Sequence, residues 1–392
     1  MPVVFAGTMG RYDLFTLPPE QRQLLDEARR RGVGLDSVAE RNHGRVNREL
    51  LRALADAGLL TRLFPDDGTV PALDLCVLRE GLARTSPPAE TALALQGLGG
   101  YPIVQSGSEA QKERWVAAIR NGDAVAAFAL TEPGHGSDAA ALELSAEPDG
   151  NGWRLSGEKR WISNAPEADV YVVFARTTPN AGARGVTAFV VAGGSKGLSG
   201  QPLDLLAPHA IGALVFDGVP VAAADVLGEM DAGFRVAMRT LDLFRPSVGA
   251  FAVGMAQAAL DLAATYASDR ESMGKKLHEH QAVSQLLAEM TTRTHASRLL
   301  VYSAAAAVDR GERTTMSSAM AKMFATESAQ FVVDSAIQIH GARALERGHP
   351  LERLYREVRA PRIYEGTTEI QREIIARELL RETGSGTPPM GR

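Results

Sequence analysis

The sequence predicts an α+β protein in which a compact β domain separates two helical zones. Up to about residue 122, and again from about residue 232, apolar residues recur at three- and four-residue intervals, the spacing of one helix face. Between 123 and 231 the pattern changes to short runs rich in Val, Ala and Phe, divided by Gly, Pro and Asn turns, as strands require. The expected domains are therefore 1–122, 123–231 and 232–392.

Taken in order, the first zone offers helices at Glu20 to Arg31, Arg45 to Ala57 and Glu109 to Arg120. Residues 124 to 130 form a short apolar run that breaks into a loop rich in Gly, Pro, Ser and Thr. Further strands are expected at Asp169 to Ala175, Gly185 to Val191 and Ala213 to Pro220. The second helical zone has its long bodies at Arg239 to Asp269, His280 to Arg310 and Thr314 to His340, which suits an all-helical bundle.

Composition narrows the class of protein. With 392 residues and 45% hydrophobic content the chain can bury a sizeable core. A net charge of −5 argues against a nucleic-acid partner, and Glu27-Ala-Arg-Arg-Arg-Gly32 reads as a solvated helix face. Cys76 is the single cysteine, so no internal disulfide and no cysteine metal cluster can form; a cytoplasmic setting is the default expectation. Met1 to Thr8 lack the pattern of a leader, and no membrane-spanning stretch is expected later. His278 and His280, two apart with no third ligand in view, are expected to be structural, and Ala192 to Gly197 reads as a turn. The scarcity of lysine beside abundant arginine reads as genome composition.

The most chemically informative stretch is Arg362-Ile-Tyr-Glu-Gly-Thr-Thr-Glu-Ile-Gln-Arg-Glu373. Thr368 with Gln371 fits a capping box, so a helix should begin just after Glu365 and Gly366 and leave free N–H groups near a lone carboxylate. A base here can take a proton from carbon while backbone donors stabilise charge on a neighbouring carbonyl oxygen. Alone, such a glutamate more often just meets the helix dipole.

Two further segments change that balance. In Ala124 to Asp138, Gly134 and Gly136 allow close approach of a ligand, while Thr131 and Ser137 offer hydroxyls and N–H groups to an oxygen-rich partner such as a flavin or a diphosphate. In Gly157 to Ala165, Trp161 and Ser163 are two apart on an expected strand and share a face, an aromatic plate beside a hydroxyl.

Thr131-Glu-Pro-Gly with Gly136-Ser-Asp, Trp161-Ile-Ser-Asn, Arg270 with Gly274 and Gln281, and Tyr364-Glu-Gly-Thr367 stand in an order and spacing that resemble the acyl-CoA dehydrogenase family of flavoproteins, over about residues 20 to 383. The resemblance implies an N-terminal helical domain, a β-barrel-like middle domain and a C-terminal four-helix bundle, with the two helical zones packed into one catalytic unit. It implies FAD held by Phe128, Leu130, Thr131, Ser137, Trp161 and Ser163, with Gln338, Gly341, Thr367 and Glu369 lining its diphosphate and adenine side. Arg270 and Gln281 resemble residues that reach the FAD of a neighbouring subunit, so a homo-oligomer, usually a tetramer, is implied. Glu365 matches the base that removes the α proton of an acyl thioester, and Ser137, Asp242, Arg245 and Gly366 fall on the substrate side. The implied reaction is α,β-dehydrogenation of a saturated acyl-CoA to the trans-2-enoyl thioester, with electrons passed to an electron-transfer flavoprotein; an oxidase is the variant reading.

Some residues depart from the family pattern. Relatives that place the base on a helix use the position of Phe244, which cannot serve. Gly341-Ala-Arg-Ala-Leu345 replaces a glycine-richer segment, an observation that keeps a flavin-free helical scaffold as the non-enzymatic alternative. Met273 replaces a phenylalanine, and Leu206 to Gly212 replaces a segment close to the carrier, so an acyl carrier protein is the alternative to coenzyme A.

Overall fold

The computed structural model describes residues 17–39, 44–66, 68 and 70–382; Met1 to Thr8, read above for a leader, lie outside them. The first zone holds α1 (Pro19–Ala39), α2 (Arg48–Asp56), α3 (Leu59–Leu63), α4 (Ala72–Ala83), α5 (Pro87–Ser106) and α6 (Glu109–Arg120). Local chemistry starts several of them. Asn47 Oδ1 accepts the Leu50 N–H at 2.9 Å to cap α2, and Ser108 with Gln111 forms a capping box on α6. α5 follows Ser86 with two prolines in its first turn, where their missing N–H groups cost nothing.

The β domain comprises β1 (Ala126–Ala129), β2 (Ser145–Asp149), β3 (Gly152–Ser163), β4 (Val170–Arg176), β5 (Val186–Ala192), β6 (Leu198–Pro202), β7 (Ile211–Ala222) and β8 (Val226–Leu227). They pair as one sheet in the order β6-β7-β3-β2-β4-β5-β8, with β1 parallel to β4. β4 and β5 are buried almost throughout, which is why they read as unbroken apolar runs. The register of β3 against β7 shifts between Lys159 and Ile162, and Trp161 at φ +56° lies in that irregularity. Plain strand alternation from Trp161 to Ser163 is thus corrected to a bulge.

The second helical zone has α7 (Gly233–Asp269), a two-stranded hairpin of β9 (Glu271–Ser272) and β10 (Lys275–Lys276), then α8 (Gln281–Asp309), α9 (Thr315–His340), α10 (Pro350–Glu357) and α11 (Thr368–Glu382). By length and composition α7 is apolar enough to cross a membrane, which corrects the expectation that no stretch is. Since 72% of its most apolar window is buried inside the protein, it serves as a core helix. His278 and His280 bond main-chain carbonyls of Ala267 and Ser272, and among the described residues no cluster of metal-ligating side chains occurs.

α4 joins the two helical zones. Its first N–H groups, from Ala72 and Leu73, donate to the Asp309 carboxylate at the end of α8, at 2.5 and 3.0 Å. Glu80 accepts from Arg298 at 2.8 Å and from Tyr302 at 2.7 Å, both on α8. Arg79 pairs with Glu90 of α5 and donates to Ser247 of α7 at 2.6 Å. Arg79, Glu80, Glu90 and Arg298 are each buried and paired, as the low dielectric demands, while Asp309 stays exposed at the helix end.

Candidate active site

The peptide leading into α11 is held in an unusual shape. Glu365 has φ +53° and Gly366 φ +91°, so the chain makes a left-handed turn in which an L-residue is rarely found. A β-carbon on Gly366 would come within 2.6 Å of Gln371 Nε2, so a side chain there would push the Gln371 amide aside as well as strain the backbone. The buried Gln371 amide donates to the carbonyls of Glu365 and Gly366, both at 3.1 Å, and the Lys322 ammonium of α9 donates to the Gly366 carbonyl at 2.7 Å. The helix start differs from the expected capping box. Thr367 Oγ1 accepts the Ile370 N–H at 3.3 Å, while Thr368 is drawn away to Glu327 at 2.7 Å.

The turn delivers the Glu365 carboxyl into the protein, where Oε2 is buried and accepts no hydrogen bond among the described residues. Burial pushes this carboxyl up from its ordinary range, and the Arg79, Lys322 and Arg245 cations oppose the push. A carboxylate with one oxygen free, raised by desolvation and kept ionisable by cations, is suited to accept a proton from carbon. Phe244 lies buried on α7 with its ring 6.2 Å from that of Tyr101, a packing residue with no acid–base capacity. Asp242 and Arg245 are paired with each other at 2.7 Å, and burial raises Asp242 against that partner. Arg245 Nε is buried without a partner.

The loop after β1 is anchored from below. Lys159, fully buried, donates to the Leu130 carbonyl at 2.9 Å and to Glu132 at 2.8 Å, and Glu132 also accepts the N–H groups of Glu143 and Leu144. The Thr131 carbonyl accepts the Arg160 N–H at 3.0 Å, tying this loop to the Trp161 bulge. β-Carbons placed on Gly134 or Gly136 would meet nothing within 4 Å, and Trp161 keeps 46% of its surface exposed. Phe128 is half-buried against Phe174 at 4.9 Å, Leu130 is buried, Thr131 and Ser163 are half-buried, and Ser137 is exposed. Five further positions lie exposed on the second helical zone. Arg270 caps the end of α7, Gln281 opens α8, Gln338 lies near the end of α9, Gly341 follows α9 at φ +67° with open space at its β-carbon position, and Glu369 lies in the first turn of α11.

These residues fit a flavin dinucleotide. The exposed indole, the open glycines at 134, 136 and 341, and the hydroxyl, guanidinium and amide donors supply a flat apolar contact and hydrogen-bond partners for ring and diphosphate. Ala344 is buried in the core, so its methyl faces inward and not toward a ligand.

Sequence families for the acyl-CoA dehydrogenase N-terminal, middle and C-terminal domains match residues 18–123, 127–219 and 231–380 in turn. The chain belongs to the acyl-CoA dehydrogenase family. Cyclohexane-1-carbonyl-CoA dehydrogenase of Geobacter metallireducens is 36% identical over 350 residues, which cover 86% of this chain and 91% of that protein. The mitochondrial short-chain specific acyl-CoA dehydrogenase of Bos taurus is 36% identical over 93% of this chain and 91% of its own length. The solved structure of butyryl-CoA dehydrogenase from Megasphaera elsdenii superposes with a TM-score of 0.88 at 35% identity, covering 94% of this chain and all of that one, 100%. As an acyl-CoA dehydrogenase the protein is an FAD-dependent oxidoreductase.

Sequence reading left Lys159, Lys322, Arg79 and Glu90 without roles. A signal was present in the lysines. Two of the six lysines, Lys159 and Lys322, are fully buried, where a compact ammonium reaches a main-chain carbonyl that a planar guanidinium suits less well.

Proposed function

We propose that the protein catalyses α,β-dehydrogenation of a saturated acyl-CoA thioester to the trans-2-enoyl thioester, with Glu365 as the catalytic base. The observation that carries this reading is the buried, unpartnered Oε2 of Glu365 on a strained turn fixed by Lys322 and Gln371. The thioester carbonyl acidifies the α carbon, and Glu365 takes the proton there. The backbone N–H of Glu365 is assigned to the thioester oxygen, where negative charge develops. FAD, when bound, supplies the two-electron acceptor for the hydride that leaves the β carbon.

Phe128, Leu130, Thr131, Ser137, Trp161 and Ser163 are assigned to the flavin half of the cofactor, and Gln338, Gly341, Thr367 and Glu369 to its diphosphate and adenine half. Arg270, Gln281 and the 92% exposed Met273 on the β9–β10 turn support a homotetramer in which these residues meet a neighbouring subunit. Asp242 and Arg245 are assigned to the nucleotide portion of the carrier. A short-chain or cyclic acyl group, coenzyme A as carrier, an electron-transfer flavoprotein as acceptor and a cytoplasmic setting complete the proposal; the relatives above support the first two.

Anaerobic mixing with saturated short-chain and cyclic acyl-CoA thioesters tests it. The flavin absorbance should bleach with at least one of them, and Glu365→Gln should abolish bleaching while keeping FAD. A flavin that bleaches only when the same acyl group is delivered on an acyl carrier protein would move the assignment to that carrier.

A further inference from the structure

We propose that Lys322 of α9 is a positioning residue for the catalytic base, holding the turn at 365–366 in the conformation that aims the Glu365 carboxylate. The inference rests on reading Glu365 as the base. Lys322 has no exposed surface, and its ammonium reaches across 44 residues of sequence to the Gly366 carbonyl at 2.7 Å. Glu327, farther along the same helix, is already taken by Thr368 at 2.7 Å and Arg362 at 2.8 Å. The acceptor that Lys322 uses is thus the peptide immediately after the base. Gln371 pins the same carbonyl and the one before it. With donors on two consecutive carbonyls, the surroundings over-determine a φ of +53° that Glu365 would otherwise leave.

Lys322 also acts on Glu365 as a charge. The groups facing Glu365 are Arg79 from α4, Glu90 from α5, Arg245 from α7, Lys322 from α9 and the adjacent Tyr364. Those facing Lys322 are Glu365, Arg245, Glu327 and Glu369. Burial lowers the Lys322 ammonium to about 8, so it is protonated at neutral pH and favours the ionised form of Glu365. Without that cation the carboxyl rises further and is protonated, and so inactive as a base, over more of the acid range.

Two substitutions separate the hydrogen bond from the charge. Lys322→Met removes both, and Lys322→Gln keeps an N–H donor without the charge. Each FAD-loaded variant is followed by anaerobic bleaching with an acyl-CoA that the parent oxidises, from about pH 5.5 to 9. FAD content, melting temperature and titration of the Glu365 carboxyl by infrared difference against Glu365→Gln are measured alongside. We expect Lys322→Met to bleach about 100-fold more slowly with its FAD retained. The acid limb and the infrared titration should move up by about one pH unit. Lys322→Gln should recover part of the rate and keep the displaced limb. The parent's pH profile in either variant, or a rate loss that only follows lost FAD, overturns the proposal. If Lys322→Met does not fold, the limb of Lys322→Gln decides. Bleaching that survives Glu365→Gln is a different failure, since it removes the base assignment itself and is seen without either Lys322 variant.

Discussion

Lys159 and Glu132 form a fully interior ion pair, 2.8 Å from Nζ to Oε1, directly beneath the loop that carries Thr131 and Ser137. Glu132 spends its other bonding capacity on the N–H groups of Glu143 and Leu144, so one carboxylate fixes both ends of the loop. Burial lowers the Lys159 ammonium to about 8 and Glu132 opposes that fall. Lys159→Met leaves the carboxylate without its cation, and we expect a loss of about 3–5 kcal/mol together with a drop in bound FAD. Urea unfolding and visible absorbance of the purified variant check both; the double substitution with Glu132→Gln should regain part of the stability.

Gly97 on α5 faces Phe244 on α7 at close range. A β-carbon there would lie 2.8 Å from Phe244 Cζ and 2.9 Å from Leu63 Cδ2. Gly97→Ala should therefore cost about 1–3 kcal/mol by overpacking, less the small helix-propensity gain of alanine. Adding Phe244→Leu to that variant should return some of the loss, read as a non-additive cycle in denaturant midpoints. Strict additivity of the two effects would show that the ring is not the obstacle.

Glu357, buried at the end of α10, borders a cavity also lined by Arg45, Thr91 and His209. Burial raises its carboxyl to about 7, with Arg353 and Arg356 opposing. Because the folded value lies above the unfolded one, the folded chain holds this proton more tightly. The stability so gained is present below about pH 4.5 and is lost as pH rises through about 7, a difference of about 3 kcal/mol. Glu357→Gln keeps the neutral shape at every pH. Its melting temperature should match the parent near pH 5 and exceed it near pH 8, and a gap that does not widen with pH would refute the assignment.

Gly366→Ala tests the turn without touching any charge. The methyl meets Gln371 Nε2 at 2.6 Å and the backbone at φ +91° disfavours it. We expect flavin bleaching to slow by about 10- to 100-fold at near-normal FAD content. Bleaching at the parent's rate would mean that the turn tolerates a different shape.

The long helices and the buried strands were legible because each shows a single burial pattern to the sequence, as in Thr315–His340 and Val170–Arg176. α4 escaped notice for the opposite reason. Nearly all of its residues are buried, so Ala72–Ala83 lacks the contrast between faces that marks a surface helix. The Trp161 bulge depends on the register of β3 against β7, which no spacing within Gly157 to Ala165 encodes. The capping box read at Thr368 fails because Glu327, on another helix, claims that hydroxyl and leaves Thr367 to accept the Ile370 N–H. Glu365 could be picked out by motif. Its free oxygen and its surrounding cations arise from four different helices or turns, and only folding brings them together.

The surroundings of Glu365 are assembled from distant parts of the chain. Lys322 and Gln371 both bond to the 365–366 peptides, and Arg79 and Arg245 face the carboxyl from α4 and α7, so the C-terminal helices alone do not contain everything that shapes the site. Without that packing Glu365 would be hydrated and would lose the burial that raises its carboxyl. If Glu365 is the base, as proposed, the architecture would act as a safety catch, since the buried environment that raises its carboxyl forms only when these distant segments are packed together.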